Sequence, residues 1–295
     1  MRVNPNPYVD ILAEVAQTQQ QIALDEQQIA TGSSVNQPSD NPAAAAVLSQ
    51  NASETSAADQ FQRSLGSVQG EIQNADAALS SVTTSLQQAI SLGVEGANGT
   101  DNAADRDAIA TQLQGIQSQL ISLANLSYQG NYVFGGTATQ TTPYIADPTS
   151  PSGVTYQGNS GVNDVTLGEH FSLQTNLPGS QLFSNPSNSV FQSIQDLITS
   201  LQSGNGIEAA VNEVSTASNY VDAQRVFYGN ALNQLTAQQT YLGTETTQLA
   251  QQQNAEGGAD LTQVISNLTS EQTSLQATLA AVAQTAHTNL FEYLK

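Results

Sequence analysis

Near the C-terminus, Leu261, Ile265, Leu268, Gln272, Leu275, Leu279, Val282, Ala286 and Leu290 follow one another at alternating steps of four and three, with a longer last step. This is the a/d stripe of a helix that packs against another helix. The remaining faces are almost all Gln, Ser, Thr, Asn and Ala. Such a helix cannot bury its single stripe by folding back on itself, so it needs a partner. Tyr8, Ile11, Val15, Thr18, Ile22, Asp25 and Ile29 step in the same way at the N-terminus, with Thr18 and Asp25 as polar interruptions. An interrupted stripe is a weak coiled coil by itself and leaves partner contacts to fix it.

Between these arms the same period predicts long helices. Thr31-Gly32 ends the first arm, and Val35 to Pro42 is turn-forming. Asn41 followed by Pro42 reads as N-cap and first helical position, where proline loses no needed N–H. A stripe from Val47 through Ala58, Phe61, Leu65, Val68, Ile72, Ala75, Leu79, Val82, Leu86 and Ile90 predicts a single helix of about fifty residues, broken between Gly93 and Gly99. Asp101, Asp105 and Asp107 crowd the next helix start, where acids complement the dipole. Ile109, Leu113, Ile116, Leu120 and Leu123 then make an antiparallel return. Helix resumes near Val190 and, after the Gly204-Asn-Gly206 turn, runs in one phase from Ile207 through Val221, Arg225 and Tyr228 to Leu249.

From Tyr128 to Pro186 the period is different. Short β-prone pieces, Val154–Tyr156, Asp164–Leu167 and Phe171–Leu173, are bounded by Gly, Pro, Thr and Asn. The expected fold class is therefore mainly α: a long antiparallel helical bundle with paired N- and C-terminal coiled-coil arms and a small β-rich inserted domain. The expected division is 1–40 with 259–295 as terminal arms, 41–127 with 187–258 as long-helix core, and 128–186 as a β-rich outer insertion.

Charge narrows the function classes. Twenty-five acids against five bases give a net charge of −20, which repels polyphosphate and anionic lipid, so nucleic acid and membrane insertion are not expected. Charged residues make up only 10% of the chain and aromatics 5%, a composition of amides and hydroxyls that suits long helix surfaces rather than one thick core. Cysteine is absent, which excludes disulfides and thiolate metal sites. Residues 1–30 lack the basic and apolar blocks of a cleaved signal peptide.

Candidate chemistry is thin, and neither a catalytic site, a metal site nor a cofactor is expected. His170 and His287 lie far apart without acids at ligand spacing. The Asp101, Asp105, Asp107 trio lacks the glycine and terminal Glu of a Ca²⁺ loop. Gly130 to Gly136 is not followed by the Lys-Ser/Thr and helix onset of a phosphate cradle. No carboxylate pair or Ser/His/Asp ordering supports catalysis.

The motif around residue 40 is more specific. Thr31-Gly32, Val35-Asn36 and Pro38-Ser39-Asp40-Asn41-Pro42-Ala43, together with Gln272-Thr-Ser-Leu275-Gln-Ala-Thr278, Leu290-Phe-Glu-Tyr-Leu294 and Tyr132-Val-Phe-Gly-Gly136, resemble the flagellin superfamily. The Pro-Ser-Asp-x-Pro form is nearer the hook–filament junction family than flagellin proper. Ser33-Ser34 departs from the basic residue that often follows the Thr-Gly in that family. The resemblance covers the whole chain, with strong motifs at both ends and a weak match from 137 to 185. It implies a non-enzymatic building block of the bacterial flagellum, exported through the flagellar type III apparatus without a cleaved signal, extracellular, and polymerising through its terminal helices.

The partners implied are other copies of the chain in a ring or tube, the hook-side junction protein, flagellin, and a flagellar export chaperone. The expected assembly interface is Tyr8, Ile11, Val15, Ile22, Ile29, Leu261, Ile265, Leu268, Leu275, Leu279, Val282 and Leu290. The motif turn is Thr31, Gly32, Pro38, Ser39, Asp40, Asn41 and Pro42. A filament subunit, and a surface binding module carried on a helical stalk, remain the alternatives.

Overall fold

The computed structural model describes residues 7–98 and 102–293, with side chains described over 10–98 and 102–283. Asp101 and the side chains of Tyr8, Ala286, His287 and Leu290 lie outside the described residues. Seven helices are described: α1 (Pro7–Thr31), α2 (Pro42–Gly96), α3 (Ala103–Ala124), the single turn α4 (Gly179–Leu182), α5 (Val190–Ser203), α6 (Ile207–Gly257) and α7 (Leu261–Tyr293). Contacts divide the chain into two compact units, Met1–Ala57 with Thr244–Lys295, and Ala58–Gly243. The division falls inside α2 and α6 rather than at the turns near residues 40 and 258.

Helix boundaries follow from local chemistry. Asn41 Oδ1 accepts from the Ala44 amide at 3.1 Å, so Asn41 caps α2 and Pro42 takes the first helical position. At α3 the Asn102 side chain accepts from the Asp105 amide at 3.0 Å and the Asp105 carboxylate accepts from the Asn102 amide at 3.3 Å, a reciprocal capping box. Of the described acids at this helix start, Asp105 is the one that caps. Gly204, at φ 71°, closes α5 in the left-handed region. Helix α2 continues through Gly93, which the sequence marks as a break. A Cβ there would lie 2.5 Å from Val211 Cγ2 and 3.1 Å from Leu197, so the glycine permits close packing.

In the unit formed by 58–243, the stripes of α2, α3, α5 and α6 meet in a single hydrophobic cluster. Ile72, Leu79 and Leu86 of α2, Leu113 and Leu120 of α3, Ile194 and Leu197 of α5, and Val214, Val221 and Tyr228 of α6 are all buried. The stripes are those read from the sequence. Arg225, the charged position on the α6 stripe, is absorbed by an ion pair with Asp76 of α2: Nε to Oδ1 is 2.9 Å and Nη2 to Oδ2 is 3.3 Å. Asp222, one turn earlier, accepts from Thr83 Oγ1 of α2 at 3.1 Å. Two polar ties thus fix the register of α2 against α6 where apolar packing alone tolerates sliding.

The segment between α3 and α5 holds three separate two-stranded antiparallel pairs. They are β1 (Ser127–Tyr128) with β2 (Asn131–Tyr132), β3 (Tyr144–Ala146) with β4 (Val154–Tyr156), and β5 (Asp164–Gly168) with β6 (Phe171–Gln174). Gln129 and Gly130 turn β1 into β2 with φ of 50° and 85°, the doubly positive geometry of a tight hairpin turn. Isolated two-stranded ribbons cannot bury a core of their own. Their apolar residues go instead into the helical cluster: Phe134, Tyr144, Leu167, Leu182 and Phe183 are each at most 1% exposed and belong to the cluster that holds the helices. The sequence reads this segment as an outward insertion, whereas its base is a structural part of the helical unit. Aromatic contacts make the joint, with Tyr144 4.9 Å from Phe191 of α5 and edge-on to Phe183 at 5.8 Å.

Candidate assembly interface

The unit formed by 1–57 and 244–295 contains the motif turn and both arms. Gly32, at φ 69°, ends α1, and its amide donates to Gln28 O at 2.8 Å. Thr31 Oγ1 donates to Gln27 O at 2.9 Å and accepts from the Ser33 amide at 3.2 Å. The chain then turns around Asp40, whose Oδ2 accepts from the amides of Asn36 at 2.9 Å and Gln37 at 2.8 Å. Asn41 immediately caps α2, with Pro38 and Ser39 at the exposed corner between. The Pro-Ser-Asp-Asn-Pro sequence is therefore a connector in which one side chain gathers two free amides and the next starts a helix.

This connector is stitched to the second one. The Ser34 amide donates to Gly257 O at 2.7 Å, Ala259 N donates to Gly32 O at 3.0 Å, and Ser33 forms a β-bridge with Gly258. The hydroxyls of Ser33 and Ser34 also donate to Gly257 O, at 3.0 and 3.2 Å. In the sequence Ala255 to Gly258 looks only like a separator between α6 and α7, and nothing in its hydrophobic pattern announces this role. Its signal is the glycine pair: a Cβ on Gly257 would stand 2.8 Å from Leu48 Cδ1, and one on Gly258 2.4 Å from Asn254 O. The Ser33-Ser34 pair, where the resembling family often carries a basic residue, supplies the two hydroxyls of the stitch.

From this joint α1 and α7 run antiparallel against each other. Ser33 lies beside Gly258 at one end, and Ile11 shares a groove with Thr278 and Val282 at the other. Ile11, Val15, Thr18, Ile22 and Ile29 are half-buried and Asp25 is buried, the stripe read from the sequence in the same phase. On α7 the phase is different. The half-buried or buried positions are Val264, Leu268, Glu271, Leu275, Thr278 and Val282. Of the expected interface, Leu268, Leu275 and Val282 face α1, while Leu261, Ile265 and Leu279 are exposed at 44%, 52% and 49%. The physical reason is that α7 carries two adjacent stripes, sharing Leu268, Leu275 and Val282, and one helix buries only one of them. Leu12 and Leu24 of α1 are exposed as well.

The described residues contain three side-chain polar atoms that are shielded from solvent without a hydrogen-bond partner, and all three belong to this unit: Asp25 Oδ2, Asn51 Nδ2 and Glu271 Oε2. Buried polar groups are normally paired. No group of three or more His, Cys, Asp or Glu among the described residues is placed to hold a metal ion, and no described helix is long and apolar enough to cross a membrane.

Comparison with known proteins matches the N-terminal part of the chain most specifically. Residues 5–139 match the family of the bacterial flagellin N-terminal helical region. The flagellar hook-associated protein 3 of Escherichia coli is 37% identical over 122 residues, which is 40% of this chain and 38% of that protein. The chain thus matches well under half the length of that curated relative. Among solved structures, a putative flagellar hook-associated protein from Vibrio parahaemolyticus aligns with a TM-score of 0.68 at 22% identity, covering 74% of this chain and all of that one. FlgL from Bacillus cereus aligns with a TM-score of 0.59 at 21% identity over 68% of this chain and 96% of its own. At these identities the two structures speak for the fold.

Proposed function

We propose, for a chain whose residues 5–139 are a bacterial flagellin N-terminal helical region and whose relatives are hook-associated proteins, that it is a structural subunit of the bacterial flagellum at the hook–filament junction. It polymerises through α1 and α7. The observation that carries this reading is the second apolar stripe of α7: Leu261, Ile265 and Leu279 stand exposed beside a seam that is already occupied by α1. An exposed line of large aliphatic side chains along a helix is an association surface rather than a solvated face. Its occupant is the terminal helix of a second copy, and at the two ends of the ring the equivalent helices of the hook-side junction protein and of flagellin. An export chaperone covers the same stripe before assembly. The protein acts outside the cell after export, and it performs no catalysis.

The curated relatives are named as hook-associated proteins rather than as flagellins, which favours the adaptor over a filament subunit. Antibody labelling of sheared hook–filament preparations tests the choice. Label confined to a band beside the hook is expected. Label along the whole filament would identify a filament subunit, and label absent from the flagellum would return the chain to the class of surface binding modules.

A further inference from the structure

Asp25 is the buried position of the α1 stripe and Glu271 a half-buried position on the face that α7 turns to α1, and each holds one carboxylate oxygen away from solvent without a hydrogen-bond partner. Asp25 is 3% exposed, and its other oxygen accepts from Gln21 Nε2 at 3.4 Å. Burial, and then repulsion from Asp25, raises the Glu271 carboxyl above the usual carboxylate range. Two carboxylates that share a shielded site ionise together only at a cost, whereas a single proton between them converts repulsion into a hydrogen bond. Within 1–57 and 244–295 the sequence places Lys and Arg at Arg2 and Lys295 alone, at the two extremes. The other charged groups among the described side chains of this unit are acids: Asp10, Glu14 and Glu26 on α1, Asp40 in the turn, Glu54 on α2, Glu245 and Glu256 on α6, and Asp260 ahead of α7, while the side chains of His287 and Glu292 on α7 lie outside the described residues. None of these acids can neutralise the pair.

We propose that Asp25 and Glu271 form a carboxyl pair sharing one proton, so that pairing of the two arms is proton-linked. The proton taken up from solvent sits between the facing oxygens and draws α1 onto α7, and its release leaves two anions in the seam that push the helices apart. The sign follows from the raised group: its contribution is fully present below the ordinary carboxylate range and is lost as pH rises through the higher value it has in the paired state. Arms of the free subunit are then held open by their own charge near neutrality and close in mild acid. This holds for the single chain, whatever it assembles into.

Hydrogen exchange on the full chain, kept dilute enough to remain monomeric, reads the effect. Protection factors, corrected for intrinsic exchange, are compared for amides 264–282 between pH 5 and pH 7.5. In the wild type they are expected to fall severalfold across that range. In Glu271→Gln and in Asp25→Asn they are expected to start at the acid level and stay flat, because an amide supplies the donor that the proton supplied. Protection in the 58–243 unit serves as the control and is unchanged. Wild-type protection that does not vary with pH, or a Glu271→Gln chain no better protected at pH 7.5 than the wild type, overturns the proposal. Either result would leave the flagellar reading untouched.

Discussion

Truncating Phe183 distinguishes an insertion that is mounted on the helices from one that merely hangs from them. The ring is 1% exposed and sits edge-on to Phe134 at 5.2 Å and to Tyr144 at 5.8 Å, with Phe191 of α5 at 6.2 Å. Phe183→Ala leaves a cavity at a point where the β segment, the turn after α4 and α5 all meet. Core truncations of this size cost about 3–5 kcal/mol. For a unit of this size, each kcal/mol lowers the melting midpoint by about 2–4 °C, so the expected fall is roughly 6–20 °C. The assay is thermal unfolding followed by helical circular dichroism, a signal to which the short strands contribute little. If the β segment were an independent outer module, the loss would be confined to it and the helical midpoint would stay within about 2 °C of the wild type. That result would refute the shared core.

Three further outcomes follow from the terminal unit. Asn41→Ala should cost about 0.5–2 kcal/mol as a lost helix cap, read as faster amide exchange over the first turn of α2, with Asn41→Asp restoring protection. Replacing Leu261, Ile265 and Leu279 together by Ser should abolish incorporation into flagella while leaving the melting of the 58–243 unit unchanged; incorporation at the wild-type level would remove α7's exposed stripe from the interface. At neutral pH and high dilution, amides from Leu261 to Val282 should exchange close to the unfolded rate, because a two-helix pair with a half-buried seam gains little against the entropy of ordering both arms. Strong protection under those conditions would mean that the arms are self-sufficient.

Much of this fold was legible because long helices write a strong period. The stripes of α2, α3, α5 and α6, the cap at Asn41 and the strands near 154, 164 and 171 could be placed from the chain alone. What could not be placed depends on approach rather than period. Gly93 reads as a break but serves as the gap that Val211 and Leu197 fill. Phe134, Tyr144 and Phe183 read as parts of a separate β insertion because nothing local says that their rings enter a helical cluster. The stitch between Ser33-Ser34 and Gly257–Ala259 joins residues more than 220 positions apart, and only the paired glycines hint at it.

The phase of α7 is the most instructive difference, because the rule that failed is the one that works for the stripes of α2, α3, α5 and α6. Choosing the stripe with the largest aliphatic residues assumes a single partner that takes the greasiest face. Here α1 takes the neighbouring line, in which Val264, Leu268, Leu275 and Val282 alternate with Glu271 and Thr278. Leu261, Ile265 and Leu279 stay outside. A helix that served only the fold of its own chain would gain by rotating about 50° to bury them, half of the roughly 100° that separates neighbouring residues, because the two stripes share Leu268, Leu275 and Val282. The less apolar line facing inward, with an acid pair in it, is therefore what a helix shared between its own chain and a neighbour looks like. Under the proposed function the better hydrophobic face is the one left for the partner, and a weak inner face is expected to form late.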